Sequence, residues 1–319
     1  MRLRRLRLAA AVLGSVLLLA SCSGDDAFVE EGDAGGSSSE GGDETIVVGG
    51  ANFTEMQIMQ AMYVELLEDA GFTTETVTAD NRELYFPELG SGEIDVVPEY
   101  AATLAEFLNI GANGEGADLI STSDAAATVE AARPLAEKQG VTLLEPAEAA
   151  DQNGFAVTAA FAEENGLATL TDLGALGRPI VLAATEECPT RPFCEPGLEE
   201  TYGLDVTSVL PTGFGGPATL QAVQSGEAQL GLVATTDGTL DQFDLVLLED
   251  DLNLQLADNL VPAVNTDSAT DELTTALNSL AEVLTTEDLV ELNRQVDAER
   301  LQAPDVARDY LVEKGLVQE

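Results

Sequence analysis

An α/β fold built as two similar lobes is predicted by three observations. Short buried strands alternate with amphipathic helices from about Thr45 onward. The stretch capable of folding is about 275 residues, enough for two domains of ordinary size. A short motif, Ser91-Gly92-Glu93-Ile94, returns as Ser225-Gly226-Glu227-Ala228, each time joining the end of a helix to a buried strand.

The chain opens on Arg2, Arg4, Arg5 and Arg7, followed by an apolar stretch from Leu8 to Ala20. That stretch is short for a bilayer span and has the layout of a signal peptide. It ends in Leu19-Ala20-Ser21-Cys22, which resembles a bacterial lipobox. The expectation is a leader over residues 1–21 and an acylated Cys22, whose several acyl chains anchor the chain without a spanning helix. The competing reading is a plain secretory signal with an incidental cysteine. Residues 22–44 are mostly Gly, Ser, Asp and Glu and bury too little surface to order themselves, so they read as a flexible tether.

The first strand is predicted at Thr45–Gly49. Thr54 with Gln57 three residues on looks like a capping box. Met59, Met62, Tyr63, Leu66, Leu67 and Ala70 then keep helical spacing until Gly71. Further strands are expected at 72–77, 94–97 and 141–144, and helices ending near Leu89 and covering 101–108 and 124–139. A second set brings strands at 155–158, 179–183, 206–210 and 228–233, with helices at about 196–202 and 217–225, the latter with Pro217 in its first turn. Residues 271–317 read as mainly helical, with Leu273, Leu277, Leu280, Leu284, Leu289 and Leu292 on the buried face. In both copies of the echo, Gly92 and Gly226 suit a left-handed position past a helix end. Each echo strand leads to a polar segment, Pro98-Glu99-Tyr100 and Ala234-Thr235-Thr236-Asp237. Open α/β sheets bind ligands at the carboxyl ends of their strands, so both segments are site candidates.

Composition removes several functions. There are 58 acidic and 13 basic residues, a net charge of −45. Four of the basic residues are in the leader, which leaves nine and a charge of −49 for the processed chain. A nucleic-acid surface does not fit that balance, and anionic lipid repels it. The acids are scattered without a calcium-loop pattern, so they read as a solvated saline-adapted surface before a metal site. With no histidine, Ser-His-Asp and Cys-His catalysis and His-based metal sites are excluded. No phosphate-binding Gly-Lys-Ser/Thr loop makes it a transporter ATPase, and no later apolar run makes it a permease. Cys188 and Cys194 in an exported chain suggest a disulfide, with free thiols as the alternative.

Five segments together resemble one family. They are Asn52-Phe53-Thr54-Glu55, then Ser91 to Tyr100, Asn153-Gly154-Phe155-Ala156-Val157, Gly197-Leu198 with Tyr202-Gly203-Leu204, and Thr236-Asp237-Gly238. In order and at similar spacing over roughly 45–316, they resemble the substrate-binding proteins of osmoprotectant ABC importers, which take glycine betaine, choline, carnitine or proline betaine. The resemblance implies a type II periplasmic-binding-protein fold that closes around its ligand by a hinge. Lobe 1 would be 45–151 plus 257–319, and lobe 2 would be 152–256.

A quaternary ammonium has no N–H, so aromatic faces bind it, while a betaine carboxylate calls for arginine or hydroxyl partners. The resemblance implies Tyr100 as an aromatic wall, Thr103 as a carboxylate neighbour, Phe155 where relatives carry a tyrosine wall, and Arg191 as the carboxylate-binding arginine. Asn52, Thr236 and Asp258 complete the expected site. The chain departs from the pattern at Ala234 and Asp258, where many relatives have tyrosine, and at Ala51, where lysine is common. Plainer readings stand beside these: Tyr100 and Phe155 as core, Arg191 in a surface salt bridge, Glu55 at a helix dipole, and Thr236 with Asp237 as a turn.

The expected function is a binding protein that is not an enzyme, needs no cofactor and delivers a betaine-like ligand to an ABC permease and through it to the ATPase. It would act as a monomer on the outer face of the cell membrane. Another small zwitterion or cation as ligand, or a non-transporting lipoprotein sensor, are the alternatives. Paired-carboxylate catalysis has no placed pair or nucleophile to support it.

Overall fold

The computed structural model describes residues 45–318; the leader, Cys22 and the acidic tether lie outside the described residues. The chain first lays down β1 (Thr45–Ala51), α1 (Thr54–Asp69), β2 (Thr73–Ala79), α2 (Arg82–Ser91), β3 (Val96–Tyr100), α3 (Ala101–Asn113), α4 (Ala125–Glu137) and β4 (Val141–Leu143). It then builds β5 (Asn153–Thr158), α5 (Ala159–Asn165), α6 (Leu170–Ala175), β6 (Pro179–Ala184), α7 (Glu195–Tyr202), β7 (Asp205–Pro211), α8 (Gly216–Gln224), β8 (Leu230–Ala234) and β9 (Leu245–Leu248). It returns through β10 (Leu260–Asn265) and closes with α9 (Asp271–Ala281), α10 (Thr286–Asp297) and α11 (Ala303–Lys314).

Two five-stranded sheets result, ordered β2-β1-β3-β10-β4 and β7-β6-β8-β5-β9. They repeat one plan. Three parallel strands are joined by helical crossovers, and the fourth strand runs antiparallel to its neighbours. In each sheet that antiparallel strand follows a passage of the chain from one sheet to the other. A single large core holds the first sheet together with α1 and the C-terminal helices. The second sheet has one apolar cluster on each face, because alternate side chains of β5 point opposite ways: Phe155 and Val157 to one, Ala156 to the other.

Several local expectations are corrected. Thr54 is the first residue of α1 rather than its cap; Phe53 has the extended cap conformation, and the Thr54 hydroxyl donates to Asp297 instead (2.7 Å). The third strand begins at Val96 and runs through Pro98 to Tyr100, since Ile94 is still tied by its N–H to Glu88 at the end of α2. Pro98 lies directly opposite Pro262 of β10 in the antiparallel pair. Helices α5 and α6 and strands β9 and β10 are additional to the predicted elements. Gly92 and Gly226 do take left-handed backbone conformations, with φ of 82° and 79°.

Candidate ligand-binding cleft

The carboxyl ends of β1, β3 and β6 meet between the two sheets. Together with the loop after β7 they border a cavity of about 380 Å³, in the range of small-molecule sites. Its apolar part is an aromatic corner. Phe53, just after β1, lies 6.3 Å from the Tyr100 ring with a tilt of 32°. Phe214, from the loop before α8, meets Phe53 edge-on at 5.2 Å. Two rings thus come from one lobe and one from the other. Their negative faces suit a cation that offers no hydrogen bond.

Two buried carboxylates, Asp258 and Asp151, border the same cavity. Asp258 Oδ1 accepts from the Thr103 backbone N–H (3.0 Å), and its carboxyl is pushed up to about 6 by burial, against the opposing pull of the Thr103 bonds and Arg82. Asp151 Oδ1 accepts from the Thr235 hydroxyl (3.0 Å) and the Thr236 N–H (3.2 Å). Burial, and then the nearby Glu55 charge, raise it well above the ordinary range.

Both arginines at the cavity are already paired. Buried Arg82 grips Glu99 with Nε (2.9 and 3.1 Å) and Nη2 (2.7 Å), and its Nη2 also donates to the Thr103 hydroxyl (3.0 Å). Tyr85 adds a hydroxyl bond to Glu99 (2.8 Å). Arg191 reaches across the cleft to both oxygens of Glu83 on α2 (3.0 and 2.8 Å). Its loop is held by the Cys188–Cys194 disulfide (Cα–Cα 5.2 Å) and by the start of α7. That seat requires Gly197, where an added Cβ would lie 2.2 Å from the Pro192 carbonyl oxygen.

Behind the aromatic corner a buried network crosses between the lobes. Glu55 accepts from the hydroxyls of Tyr100 (2.8 Å) and Thr236 (2.7 Å) and from the Asn293 amide (2.7 Å). Burial raises the Glu55 carboxyl and outweighs the three donors that lower it. Burial and then the Glu55 charge raise the Tyr100 hydroxyl well above its ordinary value.

Of the residues expected at the site, Tyr100, Thr103, Arg191 and Asp258 do line this cavity. Phe155 does not: it is 1% exposed in the core, one step deeper along β5 than Asn153, which lines the cavity on the same strand face. Its place at the wall is taken by Asn153 and Leu232. Thr236 is not on the wall either, because its hydroxyl is turned to Glu55. Asn52 is exposed and lies, with Ala234, on a second cavity of about 280 Å³ across the Phe53–Phe214 contact. Sequence reasoning missed Phe53 and Phe214 as walls, Arg82 and Tyr85 as buried partners, and Asp151. Phe53 lay inside a motif already singled out, and Phe214 stands among glycines after a strand, the one local sign of a wall residue. Nothing local marks the Arg82–Glu99 pairing. No cluster of His, Cys, Asp or Glu among the described residues is arranged to hold a metal ion. None of the described helices is long and apolar enough to cross a membrane.

The sequence matches the family model for the substrate binding domain of ABC-type glycine betaine transport systems over residues 44–313. The chain belongs to this family. Its members bind substrates for transport and are not enzymes. The glycine-betaine-binding protein of Pseudomonas aeruginosa is 28% identical over 285 residues, covering 86% of this chain and 89% of the relative. The glycine betaine-binding protein YehZ of Escherichia coli is 27% identical over 282 residues, covering 85% and 90%. Among solved structures, a glycine betaine/carnitine/choline ABC transporter superposes with a TM-score of 0.63 at 21% identity, covering 85% of this chain and 99% of the other. Lactococcal OpuAC in its closed, glycine betaine-bound form gives 0.59 at 14% identity, covering 86% and 97%. These structural matches establish the two-lobed type II periplasmic-binding-protein fold.

Proposed function

We propose that this chain is an extracytoplasmic lipoprotein, anchored through Cys22, that captures a small quaternary-ammonium osmoprotectant between its lobes and delivers it to an ABC permease. The observation that carries the reading is the aromatic corner of Phe53, Tyr100 and Phe214 beside Asp151 and Asp258, in the cleft of a glycine betaine-transport family member. Rings contributed by both lobes give the ligand contacts that exist only when the lobes approach, which is how a binding protein couples capture to closure. The lobes in this reading are 45–151 with 257–319 and 152–256, so Asp151 and Asp258 sit where the chain crosses between them. The protein works as a monomer.

A second ligand class, a small organic cation without a quaternary centre, is favoured by the carboxylates on the cavity wall, Asp258 among them. Isothermal titration with glycine betaine, choline, carnitine and proline betaine, and with a primary amine as contrast, separates the two. Saturable binding of at least one quaternary compound, weakened about tenfold in Tyr100→Ala, is expected. Binding of the primary amine alone would overturn the quaternary reading.

A further inference from the structure

We infer that the cleft selects by charge, taking a net monocation of the choline type in preference to a zwitterionic betaine of the same size. This inference rests on the quaternary-ammonium reading and narrows it. Choline and glycine betaine share the trimethylammonium group and differ at the far end, a hydroxymethyl against a carboxylate. The aromatic corner treats them alike, so the choice falls on what meets that far end.

For a carboxylate, a site must offer a cation whose charge is not already balanced, as well as donors. The cavity is lined by seven carboxylates and two guanidiniums. Each guanidinium is already balanced by a carboxylate, with Arg82 Nη1 and Arg191 Nε and Nη1 left without a hydrogen bond among the described residues. Arg82 is buried and bound through both Nε and Nη2 to Glu99, which is itself fully buried. Arg191 is held by both oxygens of Glu83 across the cleft. Thr103, the expected hydroxyl partner, has its N–H on Asp258 and its oxygen accepting from Arg82. The lysines of the described residues, Lys138 and Lys314, are not on the cavity wall. Asp258, buried and with its hydrogen bonds converging on Oδ1, instead supplies negative potential beside the rings. A betaine carboxylate entering here would have to compete with Glu99 or Glu83 for a guanidinium they already balance, and would be repelled by the Asp258 carboxylate. The hydroxyl of choline does neither.

The test is a paired titration of the full chain in detergent at pH 7.5 with choline and with glycine betaine, repeated for Asp258→Asn and Glu83→Gln. The expected result is choline binding at least about tenfold tighter than betaine. Asp258→Asn should weaken choline by about tenfold while changing betaine little or improving it. Glu83→Gln, which releases Arg191, should improve betaine and narrow the ratio. Betaine binding as tightly as choline, or tighter, overturns the charge selection while leaving the quaternary reading intact. Binding of neither compound by folded protein removes the quaternary reading and this inference with it. Should Asp258→Asn fold poorly by circular dichroism, the wild-type ratio and Glu83→Gln still decide.

Discussion

Removing Arg82 should unfold the first lobe far more readily than any change at the rim of the cleft. Glu99 is 0% exposed and Arg82 7%, and their three short contacts make a two-pronged ion pair inside the core. In Arg82→Ala, Glu99 keeps only neutral donors, the Tyr85 hydroxyl and the Tyr100 N–H. Leaving one charge of a buried pair behind costs about 3–5 kcal/mol. At about 2–4 °C per kcal/mol for a protein of this size, the thermal midpoint should fall by roughly 6–20 °C. The double variant Arg82→Met with Glu99→Gln removes both charges and keeps an acceptor for Tyr85. It should recover most of that loss and sit within about 2 kcal/mol of wild type. Thermal and urea unfolding followed by circular dichroism provide the measurement. A single variant within about 1 kcal/mol of wild type, or a double variant no better than the single, would refute the reasoning that the pair is structural and closed to ligand.

Other outcomes follow from the same geometry. Phe53→Ala and Tyr100→Ala each lose a ring face and should raise the dissociation constant for a quaternary ligand by about tenfold, with the lobes still folded by circular dichroism. Asp258 has opposite effects on stability and binding. Its folded value of about 6 lies above the ordinary 3.8, so the folded state holds more protons than the unfolded between these values and stability falls as pH rises through that window. Asp258→Asn should therefore stabilise the ligand-free protein at pH 7.5, by up to about 3 kcal/mol, and not at pH 3.5, as read from denaturation curves at the two pH values. Cation affinity in the wild type should rise with pH through about 6 as the carboxylate ionises, with Arg82 and Thr103 its facing partners; a flat affinity profile would exclude Asp258 from the ligand's field. Replacing Cys188 and Cys194 by serine should cost about 2 kcal/mol through the short loop they close. It should also weaken binding by displacing Arg191 and Phe193, measurable by titration.

The strands that set the cleft were legible because both lobes repeat a buried strand, a glycine at a helix end and a polar segment at the strand's carboxyl edge. That pattern pointed to Tyr100 and to the carboxyl end of β8, while Thr103 came from the family resemblance; both Tyr100 and Thr103 line the cavity. That pattern could not correct the Phe155 wall expected from the family resemblance, because period-two alternation gives the face of a strand but not the depth along it; the same face carries Asn153 at the wall and Phe155 in the core. It also set Thr236 on the wall, where its hydroxyl in fact closes a network with Glu55, and Thr54 as a cap, where its hydroxyl bonds Asp297. Partners 181 and 243 residues away leave no local trace. The aromatic count suggested an incomplete cage of tyrosines. The folded chain assembles its corner from phenylalanines instead, with Phe214 supplied by a glycine-flanked loop whose conformation the sequence alone does not specify. The arginine at 191 was legible as a cleft residue, but its engagement by Glu83 was not, because α2 and the disulfide loop meet only once both lobes are formed.

Where the ligand sits is decided by a crystal structure of the protein with choline. A trimethylammonium group is expected within about 6 Å of the ring centres of Phe53, Tyr100 and Phe214. The Asp258 carboxylate should lie on the same side, and Arg82 and Arg191 should remain bound to Glu99 and Glu83. Density for choline in the second cavity beside Asn52 and Ala234, or an ammonium group touching none of the three rings, would contradict this placement.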